Sequence, residues 1–369
     1  MSALLGENRA GEPGKALDEK RMIKCVVWDL DGTLWHGVLL EDVSIRLKDK
    51  VVEIIKTLDS RGILQSIASK NDYDQAMDQL RGFGLAEYFL YPQINWNSKA
   101  SSIKAITASI NIGLDAVAFI DDQEFERDEV AFSIPEVCCI DPMELGGLLD
   151  RPDMNPRFIT EDSRQRRLMY IGDMERKKAE EAFVGPQEEF LATLQLEIVI
   201  APAKLEDLNR AEELTLRTNQ LNTTGYTYSY EELDEFLQSD RHKLLIASLT
   251  DKYGSYGKIG LVLIDCGKRE WTIKLLLMSC RVISRGVGTI LINHVMKLAK
   301  EARVRLCAEF APNGRNRMMY VSYKFANFRE AARRGDLIIF DNDLSRIQDF
   351  PAYVKVEIES SNNKGICDD

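Results

Sequence analysis

Two carboxylates one residue apart follow an apolar run near the start of the chain, in Val26-Val27-Trp28-Asp29-Leu30-Asp31-Gly32-Thr33. The pleat of a strand puts Asp29 and Asp31 on one face, while Leu30 points back into the core. An Asp attacks phosphorus only where the repulsion between carboxylate and phosphate is neutralised. Mg²⁺, a hard cation that takes oxygen ligands, does this. The bland alternative is an acidic exit from a strand into a turn, where Asp-Gly is common. Three later stretches add to the first. Gln65-Ser66-Ile67-Ala68-Ser69-Lys70-Asn71 reads as a strand that delivers the Ser69 hydroxyl at its carboxyl end, where open α/β sheets bind ligands. That hydroxyl is either a donor to a phosphoryl oxygen or an ordinary turn serine. Lys99 precedes a helical stretch and is either the compensating cation or a solvated surface lysine. The apolar run Ala116 to Ile120 ends in Asp121-Asp122. Adjacent carboxylates are costly unless a cation or hydrogen bonds satisfy them.

The elements that must position these groups are legible in the same region. From Lys24 to about Asp150, apolar strands alternate with amphipathic helices, with helical stretches at 48–61, 72–83 and 99–110. This is the pattern of a parallel α/β sheet. The segment Asp29 to Thr33 resembles the first motif of the haloacid dehalogenase (HAD) superfamily, and the three later strand-end signals follow in the matching order. The resemblance implies that Asp29 takes a phosphoryl group as an aspartyl-phosphate and that Asp31 works as acid and base. It further implies Mg²⁺ held by Asp29, Asp31, Asp121 and Asp122. Thr33, Ser69, Lys70, Asn71 and Lys99 would then bind phosphate.

Residues 1–20 read as a flexible tail, 21–150 as the HAD-like domain and 151–185 as a polar helical linker between Pro152 and Gly185-Pro186. The second domain, 186–358, opens with a strand over 196–201 and a helix through Glu212 and Leu216. Alternating segments at 242–249, 258–264 and 271–278 suggest an antiparallel meander. Arg285-Gly286-Val287-Gly288 then opens a helical run, followed by a strand from Leu306 and a helix from Arg315 to Phe325. This order resembles the GNAT (N-acetyltransferase) fold, an α+β fold whose Gly-containing turn and helix N-terminus cradle a pyrophosphate. Ile283 stands where that motif usually has Arg or Gln. A short Arg-Gly-x-Gly is also what tight packing at a helix start requires. Residues 359–369 read as a disordered tail.

The chain has 369 residues, enough for two domains or three, and its 45% hydrophobic content supports real cores. A net charge of −11 argues against broad nucleic-acid binding, which needs a basic footprint. No apolar stretch approaches membrane-spanning length and the N-terminus has no signal-peptide core, so a cytoplasmic protein without a membrane partner is expected. The seven cysteines show no paired metal-ligand spacing, and reduced thiols follow.

A narrower resemblance emerges from motifs along the whole chain. Trp28 to Gly37, Ala68-Ser69-Lys70-Asn71-Asp72, Ile94-Asn95-Trp96 with Lys99, and Phe119-Ile120-Asp121-Asp122 followed by Glu126-Arg127 are similar to the FkbH-like family. So are Arg217-Thr218-Asn219-Gln220-Leu221-Asn222, Asp251-Lys252-Tyr253-Gly254, Met278-Ser279-Cys280-Arg281-Val282 and Arg315-Asn316-Arg317. Gly32 stands where the family often has Asn, and His36 where it often has Gly. The resemblance covers roughly 24–328. It implies an enzyme that loads a glyceryl unit from 1,3-bisphosphoglycerate onto an acyl carrier protein, as the entry to polyketide extender units or tetronate rings.

An acyl phosphate is an activated carboxyl group, so a thiolate can displace its phosphate and keep the acyl group as a thioester. Cys280 is the cysteine best placed for this, at the end of an apolar strand with Arg281 next and Arg285 four residues on. Nearby cations raise a thiolate fraction. An isolated cysteine is otherwise a small buried hydrophobe. His294 is either a base for the transfer or a packed helical histidine. Asn219, Gln220 and Asn222 either hold hydroxyls or an oxyanion, or cap a helix end and form a turn. Arg315 and Arg317 either pair with a phosphate or lie solvated at a helix start. Three other readings compete: a plain HAD phosphatase with a non-catalytic second domain, an acyl-CoA-dependent acyltransferase, and a non-enzymatic scaffold that binds a carrier protein. The last would leave the set of carboxylates without a purpose. Carrier proteins are usually acidic, as this chain is, so docking one requires a local basic patch.

Overall fold

A computed structural model describes residues 22–42 and 44–359. The tail expected at 1–20 lies outside the described residues, as does that expected at 359–369 apart from Glu359, whose amide donates to Ile200 O at 2.9 Å. The chain divides into two compact units between Ile159 and Thr160.

The first unit begins with β1 (Cys25–Trp28) and the short pair β2 (Trp35–His36) and β3 (Arg46–Leu47). It continues with α1 (Val51–Ser60), β4 (Leu64–Ser69), α2 (Tyr73–Gly82), β5 (Gln93–Ile94) and α3 (Lys99–Ile110). β6 (Val117–Ile120), α4 (Glu124–Ser133) and β7 (Cys138–Ile140) complete it. Five strands form one sheet in the order β5-β4-β1-β6-β7, and every neighbouring pair is parallel. Both faces of β1 are buried, and its continuous apolar run is what a helix-covered parallel strand requires. The register sets Trp28 beside Ile67 and Ile120. The carboxyl ends of β1, β4 and β6 therefore deliver Asp29, Ser69 and Asp121 to one edge. Helix starts next to that edge are capped from the sequence. Ser98 accepts a hydrogen bond from the Ser101 amide at the start of α3, and Asp72 does the same for Gln75 in α2.

The second unit opens with α5 (Glu161–Arg164), α6 (Arg166–Ala182), α7 (Gln187–Thr193), β8 (Leu196–Pro202), α8 (Leu208–Arg217) and α9 (Tyr230–Gln238). The meander follows as β9 (His242–Asp251), β10 (Gly254–Cys266) and β11 (Glu270–Met278). After it come α10 (Val287–Glu301), β12 (Arg305–Phe310), α11 (Arg317–Phe325), β13 (Arg329–Arg334), β14 (Leu337–Asn342) and β15 (Val354–Ile358). Its sheet runs β13-β14-β12-β11-β10-β9-β8-β15. β8 to β11 pair antiparallel, whereas β11 and β12 run parallel and pair only over Glu270–Ile273 and Arg305–Ala308. Beyond Ile273 the two strands part, and this chain's own residues 221–223 fill the gap. The Thr223 amide donates to Leu276 O, its hydroxyl accepts from the Leu276 amide, and Thr223 O accepts from the Ala311 amide.

The Arg-Gly-x-Gly turn serves packing. Gly286 adopts φ +77°, and a Cβ there would come within 2.6 Å of the Tyr353 hydroxyl. Gly286→Ala is expected to destabilise the chain by about 1–2 kcal/mol. A lower urea midpoint at unchanged slope would show it; an unchanged midpoint would exclude a packing role for this glycine.

Candidate functional site

The carboxylates of Asp29, Asp121 and Asp122 form the one metal-competent group found among the described residues, with ligand atoms all within 4.8 Å of one another. Asp29 and Asp121 are buried and Asp122 is exposed. Gly32, at φ +66°, passes so close to Asp122 that an added Cβ would lie 2.2 Å from a carboxylate oxygen. Asp121 is aimed by its surroundings. Arg127 donates to its backbone carbonyl at 2.7 Å, and its side chain accepts from the Gln123 amide at 2.9 Å.

Lys99, almost wholly buried at the start of α3, joins the two inner carboxylates. Its Nζ lies 2.5 Å from Asp29 Oδ1 and 2.9 Å from Asp121 Oδ2, and it donates to Ala68 O at 3.0 Å. Burial pushes the Asp29 carboxyl up; Lys99 opposes this and the Asp121 charge adds to it. Asp121 is raised for the same reason, with Lys99 again opposing. Burial alone would lower the Lys99 ammonium, but the two carboxylates outweigh it and hold it above its ordinary value. Ser69 also hydrogen-bonds Asp29. Three converging carboxylates, Asp29, Asp121 and Asp122, suit a hard divalent cation such as Mg²⁺.

The other residues singled out at this end take supporting positions. Asp31, expected from the sequence among the metal ligands, stands outside the metal-competent group. Its carboxylate accepts from Trp35 Nε1 at 2.7 Å, the Leu39 amide at 3.1 Å and Asn71 Nδ2 at 2.9 Å. Thr33 spends its hydroxyl on Asp122, accepting from that residue's amide at 2.9 Å. Lys70 pairs with the buried Glu126 of α4 at 2.7 Å. Trp35, Glu126 and Arg127 were quoted in the sequence motifs without roles. Glu126 meets Lys70 from 56 residues away, a pairing only the fold could supply, whereas Trp35 and Arg127 meet Asp31 and Asp121 from nearby in the chain.

In the second unit, Cys280 follows β11 and is half-buried. Arg281 donates to Tyr256 O, and Arg285 meets Glu180 at 3.3 Å. His294 is buried about two turns into α10. Burial, with Lys297 nearby, lowers its pKa and keeps the ring neutral at neutral pH. Asn222 is a turn residue: its Oδ1 accepts from the Thr224 and Gly225 amides, and its Nδ2 donates to Tyr226 O. Asn219 and Gln220 are exposed, as are Arg315 and Arg317 around the start of α11.

No protein-family model matches the chain, and no curated protein does. Solved structures do. The N-terminal part of a Bacteroides fragilis protein, containing a phosphatase domain complexed with Mg, is 29% identical over 37% of this chain, with a TM-score of 0.33. The match spans 41% of that chain, less than half its length. The ribosomal-protein-S18-alanine N-acetyltransferase from Escherichia coli is 20% identical over 41% of this chain and 97% of its own (TM-score 0.33). The GNAT domain of an S. lividans protein is 18% identical over 39% and 88% (TM-score 0.32). The strand order describes a parallel α/β unit followed by an α+β unit, the two architectures expected of a HAD-like and a GNAT-like domain. Among the described residues no helix is long and apolar enough to cross a membrane.

Proposed function

We propose that this chain removes phosphate from 1,3-bisphosphoglycerate and passes the glyceryl group, as a thioester on Cys280, to the phosphopantetheine thiol of an acyl carrier protein. This is the activity implied by the FkbH-like resemblance. The observation that carries the reading is the convergence of Asp29, Asp121 and Asp122 with buried Lys99 at one sheet edge. Asp29, Asp121 and Asp122 would hold Mg²⁺, which when bound supplies the positive charge that lets a phosphate approach carboxylates. Asp29 then attacks phosphorus, the phosphoester bond breaks, and Asp31 gives a proton to the leaving oxygen and later takes one from the hydrolytic water. In the second unit the Cys280 thiolate attacks the acyl carbonyl, and the acyl C–O bond breaks with loss of phosphate. The carrier thiol next displaces Cys280, exchanging one thioester for another.

The acyl-CoA reading is disfavoured by one observation. Residues 221–223 close the gap where β11 and β12 part, the place where an extended ligand would meet open strand edges. Intact-mass measurement with Mg²⁺ and 1,3-bisphosphoglycerate tests the proposal. A glyceryl adduct is expected on the native chain and none on Cys280→Ser. Full transfer to carrier by Cys280→Ser would leave direct transfer as the function, and phosphate release by the native chain with neither adduct nor transfer would leave a plain phosphatase.

A further inference from the structure

Among the described residues of the second unit, five arginines gather around a few shared carboxylates, and Arg285 meets Glu180 at 3.3 Å. α6 supplies Arg166, α8 supplies Arg210 and Arg217, and the turn after β11 supplies Arg281 and Arg285. One carboxylate, Glu213, takes three of them: Arg166, Arg210 at 2.8 Å and Arg217 at 3.3 Å. Arg210 also meets Asp162 at 2.7 Å. Asp173, the carboxylate facing Arg281, is 4.0 Å from it and already takes Arg176 at 2.8 Å. Arg281 Nη1 and Arg285 Nε and Nη1 are buried without a hydrogen-bond partner. The side chains of both residues are at least nine-tenths buried. Buried donors without acceptors are costly, and guanidinium donors more so than neutral ones.

Cys280 belongs to this cluster. The Tyr170 phenol of α6 is raised to about 12 by burial and by Cys280, against the pull of Arg281, Arg166 and Arg217. The thiol and three guanidiniums therefore lie near enough to act on the Tyr170 phenol, and Arg281 stands 6.0 Å from the centre of its ring. The cations also press on one another. Burial and then Arg166 bring Arg217 down to about 9, and burial with Arg210 and Arg166 lowers Arg281 despite Asp173. Arg217 keeps 29% of its side-chain surface exposed, which leaves the cluster open to solvent on that side.

We infer that Arg166, Arg210, Arg217, Arg281 and Arg285 form a recessed binding site for a phosphomonoester, the terminal phosphate of the acyl donor whose carbonyl meets Cys280. The inference rests on the acyl-carrying reading of Cys280 for the donor's identity. Several guanidinium forks suit a dianion carrying three terminal oxygens better than a singly charged diester.

The test is Cys280 alkylation by iodoacetamide in the full-length chain with EDTA, mapped by peptide mass spectrometry. The probes are 3-phosphoglycerate, inorganic phosphate and dimethyl phosphate, with half-buried Cys266 as internal reference. The two monoester-type anions are expected to slow Cys280 alkylation saturably and leave Cys266 unchanged. Arg217→Gln, at the open side, is expected to weaken that protection at least about tenfold, and Arg217→Lys less. Protection by dimethyl phosphate alone would overturn the assignment in favour of a carrier-arm diester. Equal rates with every probe would overturn the site altogether. If Cys280 still gained a glyceryl adduct in that case, the proposed function would stand without it. Protection without any adduct would leave the anion site and remove the acyl role.

Discussion

Asp29→Asn is expected to cut phosphate release from the ester end of 1,3-bisphosphoglycerate by about 10³-fold or more, the scale of losing a covalent nucleophile. The amide is nearly the same size, but it has no charge for the cation and no lone pair able to take phosphorus. Lys99 would keep Asp121 as its partner at 2.9 Å, so the buried ammonium is not stranded and the unit is expected to stay folded. The same variant is expected to retain an acyl adduct on Cys280, now still carrying the ester phosphate, because that bond forms at the acyl carbon and not at phosphorus. Phosphate release and intact mass, measured on one preparation, check both halves. Undiminished release would remove Asp29 from the chemistry.

Glu213→Gln should destabilise the second unit by about 3–5 kcal/mol, because it strips the shared counterion from buried Arg166 and Arg210 and from partly exposed Arg217. Burial alone would raise the Glu213 carboxyl, but Arg166, Arg210 and Arg217 outweigh it and hold it far below the ordinary range. A carboxyl depressed in the folded state stabilises above its unfolded value, near 4.3, and that stabilisation is lost as pH falls. Native protein is therefore expected to weaken from about pH 5 downward. Glu213→Gln should show a flatter acid limb because the titrating group is gone. Urea unfolding at a series of pH values reads both effects. Equal stability of variant and native chain at pH 7 would mean that the arginines are neutralised by something other than Glu213.

The first unit was the more legible of the two because a parallel sheet writes itself plainly. Its strands are unbroken apolar runs, and whatever follows them arrives at one edge, so Asp29, Ser69 and Asp121 met as the spacing required. Lys99 could be matched to them only by resemblance; the sequence alone does not distinguish a buried lysine from a solvated one. The placement of Asp31 needed Trp35 and Asn71, contacts that the register of neighbouring elements creates. In the second unit the meander was visible from alternation. The hairpin of β13 and β14 was missed because β13, Arg329 to Arg334, is exposed throughout and shows no alternation, as suits a charged edge strand. The arginine cluster was hidden for a related reason. Arg166 and Arg176 sit in a stretch whose composition reads as a polar linker, yet together with Met169 and Gly172 they form the buried face of α6. Charge counts report composition, and only the helical period, set against a real neighbour, says which charges go inside.

The wedge at 221–223 also bears on the thiol. The Met278 amide donates to Leu221 O on one margin of the strand, and the Ser279 amide donates to Ile259 O on the other. Cys280 thus leaves a backbone stapled from left and right, with little freedom to swing. Any acyl cargo it accepts would be offered from a stationary perch, and the travelling between stations falls to the long, limber arm of whatever collects it.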